Sequence, residues 1–145
     1  MAVPDAPAGT WEDFIVLNSG VDKHFEVLPK AADHMATDTR LSWWTKLDYA
    51  AALARDTWPL PKTEDREGYY GSDHFSYWAS GLSDARMLID TAREMQVPLG
   101  TYLDLGCASG RVTRHTALEV QEMKTYGCDI NRLHVEWCNR FLPRR

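Results

Sequence analysis

Residues 102–111, YLDLGCASGR, constrain the fold of this chain more than any other stretch. A short apolar run that contains an acid leads into small residues at Gly106, Ala108 and Gly110. Glycine adopts backbone angles that other residues avoid, and it lets a ligand approach the main chain closely. A strand that runs into such a turn and then into a helix is typical of a nucleotide-type cofactor site.

The pattern on either side of this turn predicts alternating strands and helices. TYLDL (101–105) and TYGCD (125–129) are short strand candidates, and residues 109–120 and 131–142 are helix candidates. Asn131 is a suitable N-cap, and Pro143 ends the second helix. Strand, helix, strand and helix in this order predict one βαβ unit, with parallel strands, and the helix that follows it.

The residues before position 98 predict mainly helices. The first pattern (41–56) places Trp44, Leu47, Ala51 and Ala54 on one face, and the apolar run 11–17 fits either a helix or a strand. Residues 62–68 are charged and predict a surface loop. The strongest helical pattern covers residues 82–96, and its predicted inward face is Leu82, Ala85, Leu88, Ile89, Ala92 and Met95.

Several side chains allow a structural and a functional interpretation. Trp137 and Phe141 are predicted to belong to the core, and His115 and His134 to lie on the surface of their helices. The Tyr69–Tyr70 pair could close over a substrate, although aromatics beside glycines usually serve packing alone.

The composition, the net charge and the spacing of the cysteines argue against several classes of function. The chain has 145 residues and a formal net charge of −5, which disfavours a nucleic-acid surface. No apolar run is long enough to cross a bilayer, and the N-terminus lacks the pattern of a signal peptide. Cys107, Cys128 and Cys138 have neither disulfide-framework nor zinc spacing, so we expect free thiols in a cytoplasmic protein and no metal site.

The spacing of the small residues distinguishes between two cofactors. A dinucleotide site needs the pattern G-x-G-x-x-G, which would place a glycine where this chain has Arg111. The chain instead offers Gly106-x-Ala108-x-Gly110, with Asp104 two residues ahead. Asp129 ends the second predicted strand, where an acid can accept hydrogen bonds from ribose hydroxyls.

These residues carry a resemblance to a known family. YLDLGCASGR resembles the first motif of class I S-adenosylmethionine-dependent methyltransferases, and YGCDINRLHVEWCNRFLP resembles the segment that follows it. The resemblance covers residues 100–143. It implies an α/β, Rossmann-like methyltransferase fold, S-adenosyl-L-methionine as cofactor, and transfer of a methyl group to a small-molecule acceptor.

The resemblance also implies site residues. Gly106, Ala108 and Gly110, with Cys107 between them in the turn, would line the methionine end of the cofactor, and Asp104 would lie below it. Asp129 would bind the adenosine ribose, and Ile130 would flank the adenine. Ala108 departs from the family pattern, in which glycine is commonest at this position.

The resemblance implies a domain organisation as well. We expect a mainly helical segment at 1–98 and the first half of a Rossmann-like cofactor domain at 99–145, so that the fold is incomplete. The predicted sheet has two strands, and the segments that would hold the acceptor are absent, which is expected of an inactive fragment of a longer enzyme. The alternative is a non-catalytic binding or interaction module that retains half of a cofactor site. No catalytic residue, nucleic-acid partner or membrane partner is predicted, and the oligomeric state stays open.

Overall fold

The structure is a computed structural model that describes residues 23–26, 28–42 and 47–142. The run 11–17 and Trp44 lie outside these residues. Two short 3-10 helices lie at Thr39–Ser42 and Glu64–Arg66. In chain order, the other elements are α1 (Ala31–Met35), α2 (Tyr49–Arg55), α3 (His74–Glu94), β1 (Thr101–Leu105), α4 (Thr113–Glu119), β2 (Lys124–Cys128) and α5 (Arg132–Phe141).

The two predicted strands form a parallel pair. β1 pairs with β2 in a register that sets Leu103 opposite Tyr126, and β2 begins one residue earlier than predicted. The described part of the chain is therefore an α/β structure with a small two-stranded parallel sheet and several helices. This confirms the βαβ prediction, since α4 lies between the paired strands.

Helix α3 is longer than the sequence pattern predicts. It begins at His74 because the Asp73 side chain accepts the backbone N–H of Ser76 at 3.1 Å, which satisfies one of the free donors of the first turn. The extra turns bury Tyr77 and Trp78. Residues 74–81 contain a glycine and serines and show no clear helical pattern in the sequence, and this part of the helix is stabilised by burial of aromatic side chains.

The predicted inward faces are only partly correct. In α3, Leu82, Ala85 and Ile89 are buried, whereas Leu88 is exposed, and Met95, which follows the last residue of the helix, is exposed as well. In α2 the prediction was wrong. Ala51 and Ala54 face solvent, and the buried residues of α2 are Tyr49, Ala52 and Leu53.

The hydrophobic core lies between α1, α2 and the first half of α3. Its largest member, Trp78, is fully buried, and Tyr49 and Phe75 pack against it with ring centroids 6.2 and 6.4 Å away. The buried set of this core is Ala31, Met35, Tyr49, Ala52, Leu53, Leu60, Phe75, Tyr77, Trp78, Ala79 and Leu82. Helix α4 packs on α3 and so connects the sheet to this core.

The helices that flank β2 differ from prediction in two respects. The prediction of surface histidines was wrong, since His115 is 1% exposed and His134 5% exposed. Helix α4 begins at Thr113 rather than at residue 109, so the turn after β1 is longer. Helix α5 confirms its predicted cap, because the Asn131 side chain accepts the N–H of Leu133 at 3.0 Å, and Trp137 is fully buried as predicted.

A buried ion pair ties the two halves of the described chain together. Asp56, after α2, receives two hydrogen bonds from the Arg114 guanidinium of α4, at 2.8 and 2.9 Å. Both side chains are fully buried. Among the described helices, none is both long and apolar enough to cross a membrane.

Candidate functional site

The turn after β1 is held by hydrogen bonds to the end of β2. The backbone N–H groups of Gly106 and Cys107 donate to the carbonyl of Cys128, at 2.8 and 3.0 Å. The N–H of Ala108 donates to the carboxylate of Asp129 at 2.8 Å. Three consecutive amides of the turn are thus used inside the protein.

The turn contains three residues with positive φ. These are Gly106 (+78°), Ala108 (+46°) and Gly110 (+74°). The alanine is the unusual one, since an L-residue with a Cβ avoids the left-handed region. A Cβ at position 106 would meet nothing within 4 Å, so the main chain is open to a ligand there. A Cβ at position 110 would instead overlap the side chain of Leu142 and contact the Cys138 sulfur.

Both predicted acids are next to the turn. Asp129 accepts a second backbone N–H, that of Asn131, at 2.8 Å, and its side chain is 11% exposed. Each of its carboxylate oxygens accepts one of these two hydrogen bonds and keeps a further lone pair. Asp104, in β1, accepts the hydroxyl of Thr113 at 2.7 Å. The two carboxylates therefore brace the turn from β1 and from the residue that follows β2.

A cavity of about 360 Å³ opens against this turn. That volume lies within the usual range of ligand pockets. The residues that line it are Arg66, Glu67, Tyr69, Tyr77, Asp104, Gly106, Cys107, Ala108, Arg111, Val112 and His134.

The sequence-predicted site residues divide into two groups. Asp104, Gly106, Cys107 and Ala108 line the cavity, whereas Gly110, Asp129 and Ile130 do not. Gly110 faces Leu142 and Cys138 on the protein side of the turn, and the Ile130 side chain is fully exposed. Asp129 contributes through the turn amide that it accepts.

A second segment, residues 64–71, closes the cavity from the other side. The prediction that this charged stretch is a surface loop was wrong for Arg66, which is 3% exposed. The Ser109 hydroxyl donates to the carbonyl of Asp65, and the Asn131 amide donates to Glu67 at 3.2 Å. The segment is thus attached to the turn and to the start of α5.

Arg66 lies in an unusual environment. Its Nη2 donates to the carbonyl of Gly71 and to Nδ1 of His74, the latter at 3.0 Å, and its guanidinium carbon lies 4.5 Å from the centre of the Tyr77 ring. Its Nε and Nη1 are buried and have no hydrogen-bond partner. Burial lowers the pKa of Arg66. Among the described residues, none forms an ion pair with it.

The other basic residues of the cavity have acidic partners. Arg111 forms an ion pair with Asp84 at 2.7 Å and also donates to the Ser80 hydroxyl at 3.1 Å. Nε2 of His134 lies 3.7 Å from the carboxylate of Glu67. Arg66 differs from both in that it is buried and forms no ion pair among the described residues, although the charges of Asp73 and Glu64 offset part of the effect of burial on its pKa.

The wall opposite the turn is aromatic. Tyr77 is buried, and its hydroxyl donates to the carbonyl of Ser109 at 3.4 Å. Burial raises its pKa, so the phenol stays protonated. Tyr69 also lines the cavity, whereas Tyr70 does not.

The cysteines pack beneath the turn. The Cys138 thiol donates to the carbonyl of Ala108 at 3.3 Å, and its contact with the Cys107 thiol, together with burial, raises the pKa of Cys138. Such a thiol stays protonated and has little nucleophilic character. Within the described ranges, no group of three His, Cys, Asp or Glu side chains is arranged to hold a metal ion.

Sequence patterns pointed to the turn but missed the opposite wall. For Tyr69 the sequence offers one signal, its place in the Tyr69–Tyr70 aromatic pair. Arg66, Glu67, Tyr77 and His134 carry no sequence signal, because they reach the cavity through tertiary packing.

Comparison of the chain with protein-family models, with curated proteins and with solved structures finds no match.

Proposed function

We propose that the cavity against the β1–α4 turn binds S-adenosylmethionine and that the chain belongs to a class I methyltransferase that acts on a small-molecule acceptor. In this proposal β1, α4, β2 and α5 are the opening βαβα part of a Rossmann-like sheet. The proposal rests on the resemblance of YLDLGCASGR to the first motif of that family and on the geometry of the turn.

The use of the turn amides is the observation that carries the proposal. A dinucleotide site presents its backbone N–H groups to a pyrophosphate. Here the N–H groups of Gly106, Cys107 and Ala108 donate to Cys128 and Asp129, so they are not available to an anion. A cofactor without phosphate is compatible with this arrangement, and S-adenosylmethionine carries none.

The residues present fit the proposed cofactor. Gly106 offers open main chain on the cavity side of the turn, and the carboxylate of Asp104 lines the same cavity. A carboxylate suits the positive charges of a sulfonium and an ammonium group. Asp129 does not line the cavity, but it lies next to the turn and keeps one lone pair on each oxygen, which ribose hydroxyls would use in this proposal.

When bound, the cofactor supplies an activated methyl group that a nucleophile displaces in line from sulfur. The protein then has to align the reactants and exclude water. Tyr69 and Tyr77 close the aromatic side of the cavity, and Asp104 is braced by Thr113 in a fixed position. We propose no catalytic base among the described residues.

Calorimetric titration of the purified chain tests the proposal. We expect saturable binding of S-adenosylmethionine and none of NAD, and we expect Asp129→Ala to weaken binding at least about tenfold through the lost turn support and ribose contact. Asp90→Ala is the matched control, since that carboxylate is exposed on α3 and, among the residues that the structure describes, forms an ion pair with Arg93 alone. Absence of binding by a chain that melts cooperatively would contradict the proposal and favour a non-catalytic module.

A further inference from the structure

We propose that Arg66 binds a carboxylate of the ligand in this cavity, and that the cavity therefore accepts a ligand with an amino-acid end. The inference deepens the proposed function and rests on it for the identity of the ligand. In S-adenosylmethionine the group in question is the carboxylate of the methionine moiety.

The hydrogen-bond donors of Arg66 carry the inference. A guanidinium has five N–H donors. Two of them, both on Nη2, are used by the carbonyl of Gly71 and by Nδ1 of His74. The three on Nε and Nη1 are buried without a partner. Buried polar groups in native proteins are nearly always satisfied, so this set of donors indicates a missing acceptor.

The charge balance of the cavity indicates that the missing acceptor of Arg66 is an anion. Arg66 is a buried cation with no ion pair among the described residues, and a buried charge is unfavourable unless it is paired. The two nearest polar partners, a carbonyl and an imidazole, are neutral. An anion on the ligand would supply both the counter-charge and the missing acceptor.

A second charge in the same cavity, of opposite sign, defines the ligand class more closely. Asp104 also lines the cavity, and its carboxylate accepts one hydroxyl, that of Thr113. A cation and an anion in one cavity match a zwitterion, in which the carboxylate lies toward Arg66 and the ammonium group toward Asp104. The buried ring of Tyr77, stacked on the guanidinium, fixes the position of that cation.

Two ligands that differ in the amino-acid end test the inference. S-adenosylhomocysteine contains it, and methylthioadenosine lacks it. By calorimetry we expect the wild-type protein to bind S-adenosylhomocysteine at least about tenfold more tightly, as is typical of hydrogen bonds to a charged group. Arg66→Gln should abolish this difference and leave methylthioadenosine affinity within about twofold, and Arg66→Lys should restore part of it. If Arg66→Gln weakens the binding of both ligands equally, or of neither, the inference is overturned.

A cofactor-independent probe separates this inference from the proposed function. If neither adenosyl compound binds, the proposed function fails, and thermal shifts with L-methionine and L-methioninol then test Arg66 alone. The inference is supported if methionine stabilises the wild-type protein, methioninol does not, and methionine does not stabilise Arg66→Gln. Equal effects of the two compounds, or no effect, overturn it. Arg93→Gln, at an exposed position of α3, is the matched control, and a cooperative melt verifies folding of each variant.

Discussion

Asp56 and Arg114 form a fully buried, two-point ion pair across 58 residues of sequence. Arg114 also donates to the carbonyls of Trp58 and Pro59, at 3.1 and 3.0 Å, and the Trp78 indole donates to Asp56 at 2.8 Å. Burial by itself would raise the pKa of Asp56, but the charge and hydrogen bonds of Arg114 outweigh it and lower that pKa. The pair fixes α4, and with it the turn, on the helical core.

Removal of one partner of this pair should destabilise the protein strongly. Asp56→Asn leaves the Arg114 charge buried without a counter-charge, and we expect a loss of about 3–5 kcal/mol in the free energy of unfolding. The double variant Asp56→Leu/Arg114→Met should lose less than the sum of the single variants. Urea denaturation followed by circular dichroism measures these values. The control is Asp90→Asn in the exposed Asp90–Arg93 pair, which should lower the free energy of unfolding by less than about 1 kcal/mol. A similarly small loss for Asp56→Asn would refute the prediction.

His115 should make stability depend on pH. Burial, reinforced by the charge of Arg114, lowers the pKa of His115 from its ordinary 6.5 to about 3. Below pH 6.5 the unfolded chain therefore binds a proton that the folded protein does not, so stability is complete above that pH and falls as the pH decreases. We expect a loss of about 2 kcal/mol between pH 7 and pH 5.

The variant His115→Asn should flatten this dependence, which denaturant titrations at several pH values would measure. His74 acts in the same direction, because burial and the Arg66 charge lower the pKa of His74 as well, but it is less buried. His74→Asn should accordingly remove a smaller part of the slope. An unchanged slope in His115→Asn would contradict the prediction, since it would mean that His115 binds its proton equally well in the folded and the unfolded protein.

Ala108 and Gly110 should respond to substitution in opposite directions. Ala108→Gly removes a Cβ from the left-handed region, and after the entropy cost of glycine we expect a gain of up to about 1 kcal/mol in stability. Gly110→Ala introduces the same strain and also an overlap with Leu142, so we expect a loss of about 2–4 kcal/mol. Thermal and urea unfolding measure both changes, and a destabilised Ala108→Gly would argue against the positive φ at that residue.

Gly81 should be intolerant of alanine although it lies inside a helix. Alanine normally stabilises a helix interior by about 1 kcal/mol relative to glycine. At position 81 its Cβ would overlap the backbone carbonyl oxygen of Arg111, where α3 meets the start of α4, and we expect a loss of about 1–3 kcal/mol. Ser83→Ala, on the exposed face of α3, is the control and should be neutral or slightly stabilising. A stabilised Gly81→Ala would mean that α3 and the turn are less closely packed.

The elements near the turn could be predicted because their signals are local. The short apolar runs of β1 and β2, the small residues between them and the cap at Asn131 all act over a few residues of sequence. Prediction from local patterns failed for the first half of α3, because Gly81 and several serines weaken the helical pattern there. That part of the helix is stabilised by burial of Trp78. Prediction failed as well for the orientation of α2, because short alanine-rich segments carry weak periodicity.

By itself, the sequence determined the parallel βαβ arrangement and placed Asp104, Gly106, Cys107 and Ala108 together, since these residues lie within a single turn after a strand. Only the tertiary structure decided that Arg66 lies buried on the opposite wall and that Asp56 pairs with Arg114. It also decided that Asp129 supports the turn through Ala108. Local patterns report steric and hydrogen-bonding preferences of neighbouring residues, whereas the partner of a buried charge depends on which distant surfaces pack together.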